Sequence, residues 1–292
     1  MQKYYVYISL IVLCAAAFVK SFAGDLHKEV RRTNEKEVRV KLETSFGTLK
    51  LSKGNAEHIV VVNYRPEKNK ESDIDLEYRV QHETGNLNLE LNPKGSRNSH
   101  DGSVHVNFDI QSDQWNVQLN NELPLMIDAE LGAGRGDFDF TGMNITKLSI
   151  STGATSTKVR FDEPNKGVIE NFRITSGVSK FVGDKLNNAN FKRFEFEGGV
   201  GSYYLNFEGA LQREVDVHIE IGLGAITIVI PKDVGARIKY AEGWLSNFSI
   251  DDDEFDEQRK GVYTTSNYSS ATGKMNITID SGLGSIKIRR TK

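Results

Sequence analysis

One short pattern recurs along this chain and limits what it can fold into: alternating apolar residues, a glycine, then alternation again. Counted from the first apolar residue, the glycine always falls five positions on. Ile127 leads to Gly132, Leu148 to Gly153, Phe172 to Gly177, Phe194 to Gly199, Val217 to Gly222, Ile238 to Gly243 and Ile277 to Gly282. From Gly132 to Gly243 the glycines are 21, 24, 22, 23 and 21 positions apart, and the last step to Gly282 is 39. Fainter copies start at Leu42 (Gly47) and Val80 (Gly85). A repeat of this length marks a stacked array, because one such unit cannot bury its own apolar face.

Within each copy the apolar residues alternate with polar ones, the period of a strand with one face buried. Val38-x-Val40-x-Leu42 starts the pattern, and Ile74 to Val80, Leu87 to Leu91, Val104 to Ile110 and Trp115 to Leu119 continue it. Asp25 to Lys36 is the single candidate for helix; it is polar all round and reads as a frayed lead-in. After the glycine alternation resumes, as in Ile226, Ile228 and Ile230, so each unit is strand, glycine corner, strand. The residue after the first glycine is usually apolar (Ala133, Val178, Val200, Leu223, Trp244, Leu283) and is expected to point into the stack. A sharp corner needs φ > 0 or close approach to the next rung's backbone, and a residue without Cβ allows both. Valine at Gly222 or Gly282 should therefore cost about 1–3 kcal/mol or more if the corner uses φ > 0. Valine at Gly261 is expected to cost much less.

The expected fold is all-β: a right-handed, solenoid-like rack of short strands with glycine corners over 122–292, preceded by an N-terminal β segment over 38–121. An acidic insertion over 250–262 reads as a surface loop, and 24–37 as a disordered or frayed lead-in. Stacked rungs leave an open edge at each end. The N-terminal segment is expected to cover one, and the charged tail Lys287 to Lys292 the other.

Residues 1–23 read as a signal peptide. Lys3 gives a basic start, Tyr4 to Val19 is an apolar run of 16 residues, and Ser21-Phe22-Ala23 offers small residues where a signal peptidase reads. The run falls short of the ~20 residues that span a bilayer comfortably. Cleavage after Ala23 is the reading, with an uncleaved anchor as its alternative. Cys14 follows bulky Leu13, which does not suit a lipidation site. Without residues 1–23 the chain has no cysteine, so disulfides contribute nothing. Loss of Lys3 and Lys20 takes the basic count from 37 to 35 against 40 acids, a mature charge near −5. With no basic block beyond Arg31-Arg32 and Arg289-Arg290, nucleic acid is excluded as a partner. The mature protein, with no integral membrane span, is expected in the periplasm or outside the cell.

The stretches Trp115-Asn-Val-Gln-Leu-Asn through Leu123-Pro-Leu and Leu131-Gly-Ala-Gly-Arg-Gly-Asp-Phe-Asp-Phe-Thr-Gly142 resemble the toast-rack family of cell-envelope proteins. Thr152-Gly-Ala-Thr155, Phe161-Asp-Glu-Pro-Asn165, Gly198-Gly-Val-Gly201 and Ile228-Val-Ile-Pro-Lys-Asp-Val-Gly235 are similar too. Gly282-Leu-Gly-Ser-Ile-Lys-Ile288 is also similar to the β domains of LiaF-like envelope-stress proteins and of secreted adhesins. The resemblance implies an all-β fold outside the cytoplasmic membrane and brings no catalytic residues with it.

The residues that carry chemistry elsewhere have bland readings here. Gly132-x-Gly134-x-Gly136 runs into the strand pattern Asp137-Phe-Asp-Phe140, whereas a phosphate cradle must open a helix. Arg135-Gly136-Asp137 spells an integrin-binding tripeptide, but its glycine belongs to the repeat. Asp251 to Glu257 is rich in oxygen ligands yet lacks the bend glycine and distal glutamate of a Ca²⁺ loop. The histidines at 27, 58, 82, 100, 105 and 218 form no ligand spacing. Glu195 and Glu197 alternate with Phe194 and Phe196 as a strand's polar face. Asn144, Asn247, Asn267 and Asn276 open glycan-acceptor triplets, which matter only in a host that glycosylates. No catalytic, cofactor-binding or metal-binding residue is assigned, and no cofactor is expected. The expected function is that of an exported, non-enzymatic envelope protein, a scaffold or adhesin-like module whose partner is an envelope protein or glycan. The alternative is a carbohydrate-active enzyme on a β-solenoid, which needs sugar-stacking aromatics; Trp115 and Trp244 are the two tryptophans.

Overall fold

The computed structural model describes residues 18–22, 25–65, 72–93, 113–240, 246–251 and 253–291. In chain order the strands are β1 (Phe18–Phe22), β2 (Asp25–Arg31), β3 (Glu37–Lys53), β4 (His58–Arg65), β5 (Ser72–Gln81), β6 (Thr84–Pro93), β7 (Gln114–Leu119), β8 (Leu125–Asp139) and β9 (Ile145–Arg160). They continue as β10 (Ile169–Asp184), β11 (Phe191–Asn206), β12 (Glu214–Ile230), β13 (Gly235–Tyr240), β14 (Ser246–Ile250), β15 (Asp256–Arg259), β16 (Val262–Thr264) and β17 (Lys274–Arg290). Among the described residues the one helical element is a 3₁₀ turn over Leu186–Ala189.

The fold is the all-β rack that the glycine period implies. Strands β3, β8, β9, β10, β11, β12 and β17 pair in parallel, in that order, each bent at its glycine. The bend shifts the phase of burial. In β8 the inward residues are Leu125, Ile127, Ala129 and Leu131 before the corner, then Gly136 and Phe138 after it. Odd positions become even ones, so both halves of the strand face one core. Rings from successive rungs fill that core: Phe172 meets Phe194 at 5.1 Å, Phe194 meets Phe207 at 5.5 Å, and Phe181 meets Phe196 at 5.3 Å across the two walls. Each fully buried phenylalanine contributes about 1.5–3 kcal/mol through its apolar surface.

The loops that return from one rung to the next are held by buried asparagines. Asn165 accepts from the Ile145 N–H at 2.8 Å and donates to the carbonyls of Ile145 and Ala189. Asn188 donates to Phe161 O and accepts from the Ala210 N–H. Loop backbone that would otherwise be buried without partners is satisfied in this way.

Several expectations change at the two ends. The rack begins at Glu37, because β3 is itself a bent rung in register with β8, Gly47 beside Gly134. The faint copy at Val80 is a hairpin turn between β5 and β6, with His82 and Glu83 at positive φ. The lead-in is a strand: β2 pairs with β4, Val30 is buried, and the Glu35 carboxylate accepts from the Thr33 N–H and hydroxyl. β2 is paired on both sides, with β1 and β4, and most of its polar side chains are half-buried.

At the far end, β17 does not close the array. It lies between β12 and the pair β13–β14, paired in parallel with all three. The charged tail thus ends beside an interior strand. The cap is built by the 250–262 segment, which forms a β15–β16 hairpin whose β16 pairs with β13. Tyr240, Phe248 and Tyr263 stack there at 4.4 and 5.3 Å, and Phe255 is buried under Arg290. The strand expected over Val104–Ile110, together with Trp244, His100 and His105, lies outside the described residues.

Candidate functional site

Because the rungs are in register, outward side chains line up in columns about 4.8 Å apart along the rack. Two columns at the first end form a concave polar surface. One runs Arg79 (β5), Asn86 (β6), Arg39 (β3), Met126 (β8), Lys147 (β9); the other runs Glu77, Asn88, Lys41, Asp128. Together they floor a groove of ≈ 550 Å³ across five strands. Val40, Leu87 and Ile127 point to the core from the same strands, which holds the outward residues at fixed spacing.

The charges of the groove are partly committed. Lys41 pairs with Glu43, whose hydrogen bond and charge raise the lysine pKa. Arg79 lies 3.5 Å from Glu77. Arg39 and Lys147 are exposed, and neither has an ion pair or hydrogen-bonding side-chain partner among the described residues. The Asn88 Oδ1 is buried in the floor without a partner. Four cations and two carboxylates thus share one groove on a chain whose overall charge is negative.

A second surface feature corrects the expectation about the corners. The apolar residues after the first glycine stand outside the stack. Val178, Val200, Leu223 and Leu283 are 64, 44, 45 and 42 % exposed and align in register with Ala133 and Ala154 as a ridge. A strand bent around its core puts the outer turn of the bend in solvent, so position parity cannot carry these side chains inward. The space inside the corner is taken by hydroxyls, with Thr152, Ser176 and Ser179 linked at 3.0 and 2.5 Å.

The other sequence candidates are scattered. In Arg135-Gly136-Asp137 the glycine is buried and the Asp137 Oδ1 is sequestered, so the tripeptide is not displayed at a loop tip. Gly132, Gly134 and Gly136 belong to β8, with no helix behind them. Glu195 is held by Arg173, while Glu197 is exposed on the same face. His218 lies 3.9 Å from Asp280. His27 and His58 come together at Glu29, at 3.4 and 3.5 Å, from strands far apart in sequence, a convergence that spacing along the chain does not show. Asp251 accepts from the Arg290 N–H, and among the described residues no group of three His, Cys, Asp or Glu is placed to hold a metal ion. Trp115 is buried and stacked on Tyr64 at 4.0 Å, so it offers no sugar platform. Three of the glycan-acceptor asparagines are occupied: Asn144, Asn267 and Asn276 donate to Glu122 O, Lys232 O and the Glu214 carboxylate.

Comparison with known proteins bears on the whole rack. Residues 20–182 match the family model of the N-terminal domain of toast_rack, DUF2154, which covers more than half of the chain. The chain belongs to the toast-rack family. Residues 182–288 match the C-terminal model of LiaF, described as a cell wall-active antibiotics response protein. Among solved structures, a "putative cell adhesion protein" from Clostridium sporogenes is similar at 20% identity over 94% of this chain and 100% of that one, with a TM-score of 0.47. No curated protein is significantly similar to this toast-rack chain. Among its described residues no helix is long and apolar enough to cross a membrane.

Proposed function

We propose that this toast-rack protein is an exported, non-enzymatic component of the cell envelope that acts as an interaction module or scaffold. The observation that carries this reading is the outer surface of the rack, where side chains repeat once per rung in register and a polar groove crosses five strands. Such a surface presents an extended, periodic face to another envelope component. The export leader over residues 1–23 supports the location, and the family supports the envelope association.

Affinity capture from the native envelope fraction tests the reading. Recovery of a specific envelope protein or glycan is the expected result. Degradation of an envelope polysaccharide by the purified protein, without a stable partner, would overturn it. Intact-mass analysis tests the leader: the mature chain should begin at Gly24, having lost β1 and its pairing with β2, whereas a mass retaining Met1 to Ala23 in the membrane fraction would make the segment an anchor.

A further inference from the structure

We propose that the groove over β5, β6, β3, β8 and β9 binds an anionic, hydroxyl-rich polymer, an acidic glycan segment of the envelope. This rests on the reading above and names the chemistry of the partner. The first column sets three cations two strands apart, Arg79 to Arg39 and Arg39 to Lys147, which is about 10 Å at each step. That interval is close to the length of a disaccharide, so one acidic group per two sugars would meet each cation in turn. Between the cations lie the Asn86 amide and the thioether of Met126; alongside run Asn88, Lys41 and Asp128. Amides donate to and accept from hydroxyls and a carboxylate accepts from them, while an apolar side chain covers a sugar's C–H face.

Arg39 and Lys147 are exposed and make no ion pair among the described residues, which leaves both cations open to an external anion. The length of the groove, five strands or about 19 Å from first to last cation, suits a polymer better than a single sugar.

The test is a binding titration of the purified full-length protein with four labelled oligomers. They are a polyuronate, a glycerol-phosphate oligomer, a neutral glucan and polyglutamate. Either or both of the first two should bind, and the comparison between them identifies carboxylate or phosphate as the recognised group. The double variant Arg39→Gln/Lys147→Gln should lose roughly tenfold or more in affinity. Arg39→Lys should keep most of it, and Lys180→Gln/Lys287→Gln, two exposed lysines after the corners, should keep all of it. Melting curves confirm that each variant is folded. The proposal is overturned if neither acidic oligomer binds, if the two double variants lose affinity equally, or if the neutral glucan or polyglutamate binds as tightly. Envelope capture repeated with Arg39→Gln/Lys147→Gln separates the two levels. A partner retained equally by both proteins, with no oligomer binding, leaves the interaction module standing and removes the groove as its site.

Discussion

The carbonyl oxygen of Gly222 lies 2.5 Å from where a Cβ on Gly282 would begin, although the two residues are 60 positions apart. Neither has a positive φ; the left-handed backbone falls two residues later, at Gly224 and Gly284, with φ of 148° and 139°. In these two corners the first glycine is required by close approach of rungs, and the second by backbone conformation together with a still closer approach to the neighbouring rung's carbonyl. Gly222 itself would place a Cβ 2.8 Å from Gly199 O. Valine at Gly222 or Gly282 should cost about 1–3 kcal/mol or more, since whole rungs must separate. Gly261 is no neutral control: it has φ of 71°, is buried, and a Cβ there would collide with the Tyr240 carbonyl. Valine at Gly261 should lower the melting temperature too, whereas Ser202→Val, on an exposed outward position, should not.

The ridge gives a prediction of opposite sign to its hydrophobicity. Leu223→Asp should change stability by no more than about 0.5 kcal/mol, because the side chain is 45 % exposed. Ile219→Asp, four residues earlier and fully buried, should unfold the protein or cost more than about 4 kcal/mol. Equal denaturation midpoints for the two variants would contradict the phase shift at the corner.

The position of β17 makes truncation informative. Removing residues 274–292 deletes an interior strand and strips β12, β13 and β14 of a shared partner. The expected result is rapid proteolysis throughout 206–265, with the rungs β8 to β10 still protected. If the truncated chain lost only its last residues to protease, the interleaved topology would be wrong.

Buried asparagine predicts the loop energetics. Asn165→Ala leaves the Ile145 N–H and the Ile145 and Ala189 carbonyls without their side-chain partner. The cost should be about 1–3 kcal/mol or more by denaturant melts, while Asn247→Ala, an exposed residue, should be neutral.

Acid should remove one surface contribution selectively. Burial pushes the Asp139 carboxyl up, but hydrogen bonds from Arg160 and Thr141 outweigh it and hold the pKa below its ordinary value. A carboxylate with a depressed folded pKa stabilises above its unfolded pKa and loses that stability as pH falls through the folded pKa. The difference between the native protein and Asp139→Asn should be fully present at neutral pH and shrink below about pH 4. Its size should not exceed about 1 kcal/mol, since Arg160 is about a third exposed. A difference that grows in acid would refute the pairing.

The period of glycines and the alternation around them determined, without any coordinates, that this chain is a rack of bent strands. Both signals are local: a corner needs its glycine within the strand that bends, and a half-buried strand needs its apolar side chains at every second position. The family resemblance rested on the same residues. What the tertiary structure decided is everything that depends on which rung lies beside which. The insertion of Lys274–Arg290 between β12 and β13 is set by pairing across 60 residues to β12 and 39 to β13, and no local period records it. The outward turn of Leu223 and Leu283 follows from curvature, which reverses the parity that a straight strand would give. The groove of Arg79, Arg39 and Lys147 joins three strands distant in sequence, and each cation alone reads as an ordinary solvated residue. Register between strands brings them into one column, because hydrogen bonds between backbones, not the side chains themselves, fix which residues become neighbours.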